Sequence, residues 1–204
     1  YVRDQIKSGY FGKNVLINIH EGGVAIWPTQ TGYTFRKELV PGGVLLNNGI
    51  HSLDFMLWCF GKPVEIEYFD DSIGGLESNA EVRLTFHNGC KGRLRISRTC
   101  QMKNMISVNG DSETAHMATL EMNRVFNQSG TEQRIHQYID KTVRNSVELS
   151  VYQLQEFIKA VEGDGQQFCT GEEGAAVIDL IEHCYMLKRR RARPEKTPTP
   201  GIVW

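Results

Sequence analysis

The spacing of apolar and polar positions changes several times along this chain, and each change predicts an element. Val2 and Ile6 stand one helical turn apart and are followed by Gly9, which predicts a short helix with a glycine stop. From Lys13 to His20 the period is two. Val15, Ile17 and Ile19 alternate with Leu16 and Asn18, as in a strand. Glu21 to Leu39 has no period and carries Gly22, Gly23, Trp27, Pro28, Gly32, Tyr33 and Phe35, so it reads as a long irregular loop. Helical spacing returns between Pro41 and Pro63, in a segment that ends at Gly61 with Pro63 as a stop.

Strands dominate next. Val64 to Phe69 alternates, and Ala80–Phe86 and Cys90–Ser97 form a hairpin around His87, Asn88 and Gly89. Parity settles its loop. A two-residue turn sets Leu84 opposite Arg93 and mixes the faces. A three-residue loop pairs Leu84 with Gly92 and Val82 with Leu94, keeps one face apolar, and needs Gly89 left-handed. The other face then carries Arg83 opposite Arg93 and Glu81 opposite Arg95, either solvated or buried in a polar subunit interface. Met105–Val108, Glu113–Leu120, Arg124–Asn127 and Gln133–Tyr138 read as further strands, with turns at Asn109-Gly110 and Ser129-Gly130. Two helices close the domain. One has Val147, Val151, Leu154, Ile158 and Val161 on a stripe; the other opens with a Thr170–Glu173 capping box and continues through Val177, Ile181, Cys184 and Lys188. Strands followed by segregated helices predict an α+β domain over residues 1–194, an open, mostly antiparallel sheet with helices on one face. Residues 195–204 form a polar C-terminal tail.

Composition narrows the function. The 204 residues carry a net charge of −1 and a pI of about 6.7, which gives no electrostatic footprint for nucleic acid. The one dense basic run, from Lys188 to Arg193, complements a helix C-terminus. No apolar run approaches the roughly 20 residues that span a bilayer, and no secretory segment opens the chain. Five scattered cysteines without a CxxC read as reduced thiols of an intracellular, cytoplasmic protein. The chain opens at Tyr1 inside an amphipathic pattern, which implies residues upstream.

The candidate chemistry sits in the Pro41–Pro63 block. Asn47, His51, Asp54 and Trp58 fall at steps of four, three and four, so they share a helix face. Burying such groups costs free energy unless each finds a partner. The stripe therefore either faces a ligand cleft or forms a satisfied polar cluster. No GxGxxG, P-loop, HExxH or GxSxG occurs, and the other five histidines are too scattered for a metal set.

The block GGVLLNNGIHSLDFMLWCFG, Gly42 to Gly61, resembles the GGxxxDxGxHxxDxxxxxxG segment of the glucose–fructose oxidoreductase, inositol dehydrogenase and MocA (Gfo/Idh/MocA) family. The opening helix, strand and Trp/Tyr loop, and the closing CTGEEGAAVIDLIEHCYMLKRR, are similar to the family's second domain as well. The resemblance implies the substrate-binding, oligomerising portion of an oxidoreductase that uses NAD or NADP and acts on a sugar, polyol or nucleotide-sugar. It also implies an N-terminal Rossmann domain with a catalytic lysine in an EKP-type motif, neither of which is in these residues, and a homo-oligomer formed through the sheet face. The family's proton-transferring His falls on His51. Its Asp, one turn earlier, falls on Asn47, whose amide can orient a hydroxyl but cannot act as a base. Asp54 matches an Asp that is more structural, and Asn48, one residue around the helix, is expected to face elsewhere. In such an enzyme His51 serves as general base or acid at the reacting carbinol, a task suited to a group that titrates near neutral pH. Tyr33, Trp27 and Arg36 are candidates for the substrate wall, because sugars stack on aromatics and an arginine fork binds carboxylate or phosphate. The alternative is a non-catalytic binding or assembly module that keeps the sheet without the chemistry.

Overall fold

Eight strands build one sheet in the computed structural model, which describes residues 1–24, 31–119, 124–127, 132–134, 146–163 and 169–191. They are β1 (Leu16–Gly22), β2 (Pro63–Asp70), β3 (Asn79–Phe86), β4 (Lys91–Ser97), β5 (Met105–Asn109), β6 (Thr114–Ala118), β7 (Arg124–Asn127) and β8 (Glu132–Arg134). Their order is β2-β3-β4-β1-β5-β6-β7-β8. Every neighbouring pair is antiparallel except β1 with β4. The helices are α1 (Val2–Lys7), α2 (Ile50–Phe60), α3 (Ser146–Glu162) and α4 (Gly171–Arg191). Helix α2 packs on β4, α4 packs on β2, and the two helices touch. This is the α+β architecture that the spacing predicts.

The register follows from parity. Val82 pairs with Leu94, Leu84 with Gly92, Arg83 with Arg93 and Glu81 with Arg95. The Phe86 N–H donates to the Cys90 carbonyl at 2.9 Å, and Gly89 has φ +78°, so the hairpin loop has three residues. Ile17, Ile19, Val82, Leu84, Leu94, Ile96, Ile106 and Val108 form the buried face under the helices. Burying one apolar face of each strand is what holds this register, since a one-residue slip turns every side chain over.

The opposite face is not simply solvated. Glu81 is fully buried there, beneath Arg83 (2.6 Å), Arg93 (2.9 Å) and Arg95 (2.9 Å). Burial alone pushes its carboxyl up. The hydrogen bonds from Arg83 and Arg95 and the charges of Arg93 and Arg95 prevail and hold it below the usual glutamate range.

Two expectations need correction. Helix α3 forms, but its stripe of Val147, Val151, Leu154, Ile158 and Val161 is 48–71% exposed. Periodicity marks an apolar face and does not show whether another element covers it. The predicted Gln133–Tyr138 strand begins one residue earlier, as β8. Residues 135–138, the Ser129-Gly130 turn and the 195–204 tail lie outside the described residues. Helix α4 opens on the expected capping box: the Thr170 N–H donates to Glu173 at 2.9 Å and the Glu173 N–H to Thr170 Oγ1 at 3.1 Å. Its stripe of Val177, Ile181 and Cys184 is buried.

Candidate functional site

The Gly42–Gly61 block folds as a π-helical turn, Leu45–Gly49, running into α2, which ends at Gly61 in a positive-φ conformation. The start of this helix is held from a distance. Glu77, in the loop before β3, accepts the Gly43 N–H with both carboxylate oxygens (3.0 and 2.9 Å) and the Leu45 N–H at 3.0 Å. Its main-chain carbonyl accepts the Val44 N–H at 3.0 Å. A buried carboxylate thus satisfies N–H groups that a helix start leaves free, with its charge at the favourable end of the helix dipole. Tyr185 of α4 donates its hydroxyl to the same carboxylate at 2.7 Å. Burial, and then the neighbouring Glu77 charge, raise the Tyr185 phenol above its ordinary range, so the donor stays protonated.

This geometry explains two glycines of the block. A Cβ on Gly43 would stand 2.1 Å from the Glu77 carbonyl oxygen and 2.7 Å from its Oε2. A Cβ on Gly49 would stand 2.9 Å from Leu45 and 3.3 Å from Leu94 on β4. Gly43 lets the chain close onto its cap, and Gly49 lets the helix settle on the sheet.

A cavity of about 400 Å³ opens beside this helix start. Asn47 and Asn48 line it together, so Asn48 does not face elsewhere as a regular α-helix implies. The wider π-turn brings successive side chains closer in direction, and such turns recur at functional sites. Glu21 and Asn104 line the cavity too, both fixed at the end of β1. Glu21 accepts the Ser52 hydroxyl of α2 at 3.1 Å, and Asn104 Oδ1 accepts the Gly22 N–H at 2.7 Å. Val44 and Ile96 give it an apolar floor, and Arg98 follows β4 at its edge.

The predicted site residues separate. His51 is exposed, one turn beyond Asn47, and its imidazole makes no hydrogen bond or ion pair among the described residues. It lines neither this cavity nor a second one of about 460 Å³, to which Asp54 and Trp58 belong. The stripe thus spans both openings, with His51 free between them. Tyr33 and Arg36 are exposed on a 3₁₀ turn (Tyr33–Phe35), while Thr34 and Phe35 of that turn line the first cavity. Trp27 lies outside the described residues. The five cysteines are free thiols; burial pushes Cys59 and Cys184 up to about 12, which leaves them inert at neutral pH.

The sequence did not point to Glu21, Glu77, Arg98 or Asn104. Each sits in a loop or at a strand end, where a polar residue is the ordinary expectation. Among the described residues nothing forms a dinucleotide cradle. Strand β1 ends at Gly22, and neither Gly23 nor Val24 beyond it is helical.

Comparison with known proteins adds three results. The family model for the GFO/IDH/MocA C-terminal domain matches residues 1–116. No curated protein sequence matches the chain. Among solved structures, aldose-aldose oxidoreductase from Caulobacter crescentus, complexed with glycerol, superposes with a TM-score of 0.76 at 17% identity over 93% of this chain and 58% of that one. The WlbA dehydrogenase from Bordetella pertussis, in complex with NADH and UDP-GlcNAcA, gives 0.71 at 18% identity over 94% and 59%. UDP-N-acetylglucosamine 3-dehydrogenase GnnA from Acidithiobacillus ferrooxidans gives 0.65 at 17% over 91% and 57%. The chain therefore spans under two thirds of the length of these proteins.

Proposed function

Since this chain belongs to the GFO/IDH/MocA family, we propose that it is the substrate-binding portion of an oxidoreductase acting on a sugar, polyol or nucleotide-sugar, with NAD or NADP held elsewhere on the polypeptide. The observation that carries this reading is the joint placement of Asn47 in the cavity wall and His51, unpaired and exposed, one turn along the same helix. His51 has no structural partner to satisfy, so it is available to take a proton from the reacting hydroxyl or return one. Asn47 offers an amide that fixes a hydroxyl without competing for its proton. Tyr33 and Arg36, on the outward side of the turn that supplies Thr34 and Phe35, meet the remainder of the substrate, together with Trp27.

The chain also assembles, in this reading, as a homo-oligomer through the outer sheet face. Asn18 and His20 of β1 stand half-buried on that face, opposite Arg93 and Arg95, and give it a polar character that an opposing subunit can meet. Burial, with the charges of Arg95 and Arg93, lowers the His20 pKa, so this imidazole is neutral at such a contact. Cytoplasmic residence is part of the same reading, supported by five scattered cysteines that are all free thiols.

The test is a nicotinamide-absorbance assay of the full-length polypeptide with NAD and NADP against neutral sugars, sugar acids and UDP-sugars. Turnover of at least one of them is expected, with no NAD(H) binding by the 204-residue chain alone. Micromolar NAD(H) binding by that chain contradicts the division of labour. Absence of turnover across the panel favours a non-catalytic module, to which Asn47 in place of the family's Asp already lends weight.

A further inference from the structure

Arg98 holds a charge that no hydrogen bond or ion pair among the described residues engages. It lines the 400 Å³ cavity and is partly buried. Burial lowers its pKa, while the charge of Glu77 acts in the opposite direction. Glu77 acts on it only through space: its carboxylate accepts from Gly43, Leu45 and Tyr185 and makes no ion pair with Arg98. Glu21, the cavity's own carboxylate, stands beyond ion-pair distance of Arg98 and is turned to Ser52.

The backbone under Arg98 is fixed. Its N–H donates to the Ser78 carbonyl at 2.9 Å. Ser97 Oγ, just before it, accepts the Thr99 and Cys100 N–H groups at 3.1 and 2.8 Å. The Ser97 hydroxyl in turn donates to Asn79, and the Asn79 amide donates to Asp71 at 2.6 Å. Burial works against ionisation of Asp71, but the hydrogen bonds from Asn79 and Ser78 outweigh it and hold its pKa below the ordinary value. The turn is therefore anchored on a charged, ionised post. An arginine on so fixed a turn loses little further freedom when a ligand arrives.

We propose that Arg98 is the anion-holding residue of this cavity, and that the ligand is a hydroxylated molecule carrying an oxyanion, a carboxylate or a phosphoryl group. The planar fork of a guanidinium matches either group with two parallel hydrogen bonds. Asn47, Asn48 and Asn104 supply neutral amides for the hydroxyls, and Glu21 supplies an acceptor. The proposal deepens the substrate class of the reading above and rests on it for the reaction, but the binding stands without turnover.

The test is therefore a binding measurement. The full chain is titrated with D-glucuronate, glucose 6-phosphate and glucose, following NMR shifts of the backbone and the asparagine amides. At least one anionic ligand is expected to bind about 10- to 100-fold more tightly than glucose, with shifts at Asn47, Asn48 and Asn104. Preference for glucuronate assigns a carboxylate; preference for glucose 6-phosphate assigns a phosphoryl group. Arg98→Gln should abolish the preference and leave glucose affinity and the thermal midpoint unchanged, and Arg98→Lys should restore part of it. Equal affinity for all three ligands, or a preference that survives in both folded variants, overturns the proposal. A failed turnover assay beside a retained anion preference instead removes the oxidoreductase reading alone.

Discussion

Replacing His51 by Ala in the full-length enzyme lowers turnover by about 100-fold or more, the usual contribution of a positioned acid–base group. The expectation is unusually free of a folding side effect. His51 is exposed, on the second residue of α2, and makes no hydrogen bond or ion pair among the described residues. Removing an exposed, unpaired side chain changes stability by no more than about 0.5 kcal/mol. The variant should therefore melt with the parent and bind substrate with a similar KM, and the loss should appear in kcat. His51→Gln keeps the shape and hydrogen bonding but cannot carry the proton, and should fall as far. Near-parental kcat in both variants removes His51 from the chemistry.

The largest stability effect is expected at Gly43. A Cβ there meets the Glu77 carbonyl at 2.1 Å and its carboxylate at 2.7 Å. Neither gives way freely, since the carbonyl is main chain and both oxygens accept hydrogen bonds from the helix start. Gly43→Ala must push Glu77 away and forfeit hydrogen bonds to a buried charge. Overpacking and the loss of such bonds each cost about 1–3 kcal/mol, so a loss of about 3 kcal/mol is expected. For a domain of this size that lowers Tm by about 6–12 °C. Gly174→Ala is the matched control: a Cβ there has nothing within 4 Å, and its site in α4 gains helix propensity, so Tm should hold or rise slightly. Equal melting of the two variants, by calorimetry, contradicts the Glu77 anchor.

These two residues mark what the sequence made legible. Gly43 and His51 were conspicuous as members of a patterned block, and the helix, its glycine stop and its polar stripe could be read from spacing alone. The β3–β4 register was equally legible, because only one loop parity keeps Val82, Leu84, Leu94 and Ile96 on one face. Contacts made over distance were not legible. Glu77 reaches Gly43 across 34 residues, and nothing in its polar loop distinguishes it from a solvated acid. Arg98 reads as a surface charge after a strand until the cavity is seen around it. Glu81 reads as half of a solvated cross-strand pair until three arginines close over it. Spacing turns Asn48 away from the cavity because it assumes a regular α-helix, and the local π-turn breaks that assumption. The stripe of α3 is legible as apolar, but its environment depends on elements that no local pattern specifies.

Substrate is expected to sit in the cavity at the start of α2. The most direct measurement is a crystal structure of the full-length polypeptide with a bound sugar acid or nucleotide-sugar. The ligand should lie between Asn47 and Arg98, with a hydroxyl within about 2.6–3.2 Å of the His51 imidazole or one water away. A ligand bound elsewhere, with His51 still facing bulk solvent, contradicts the account.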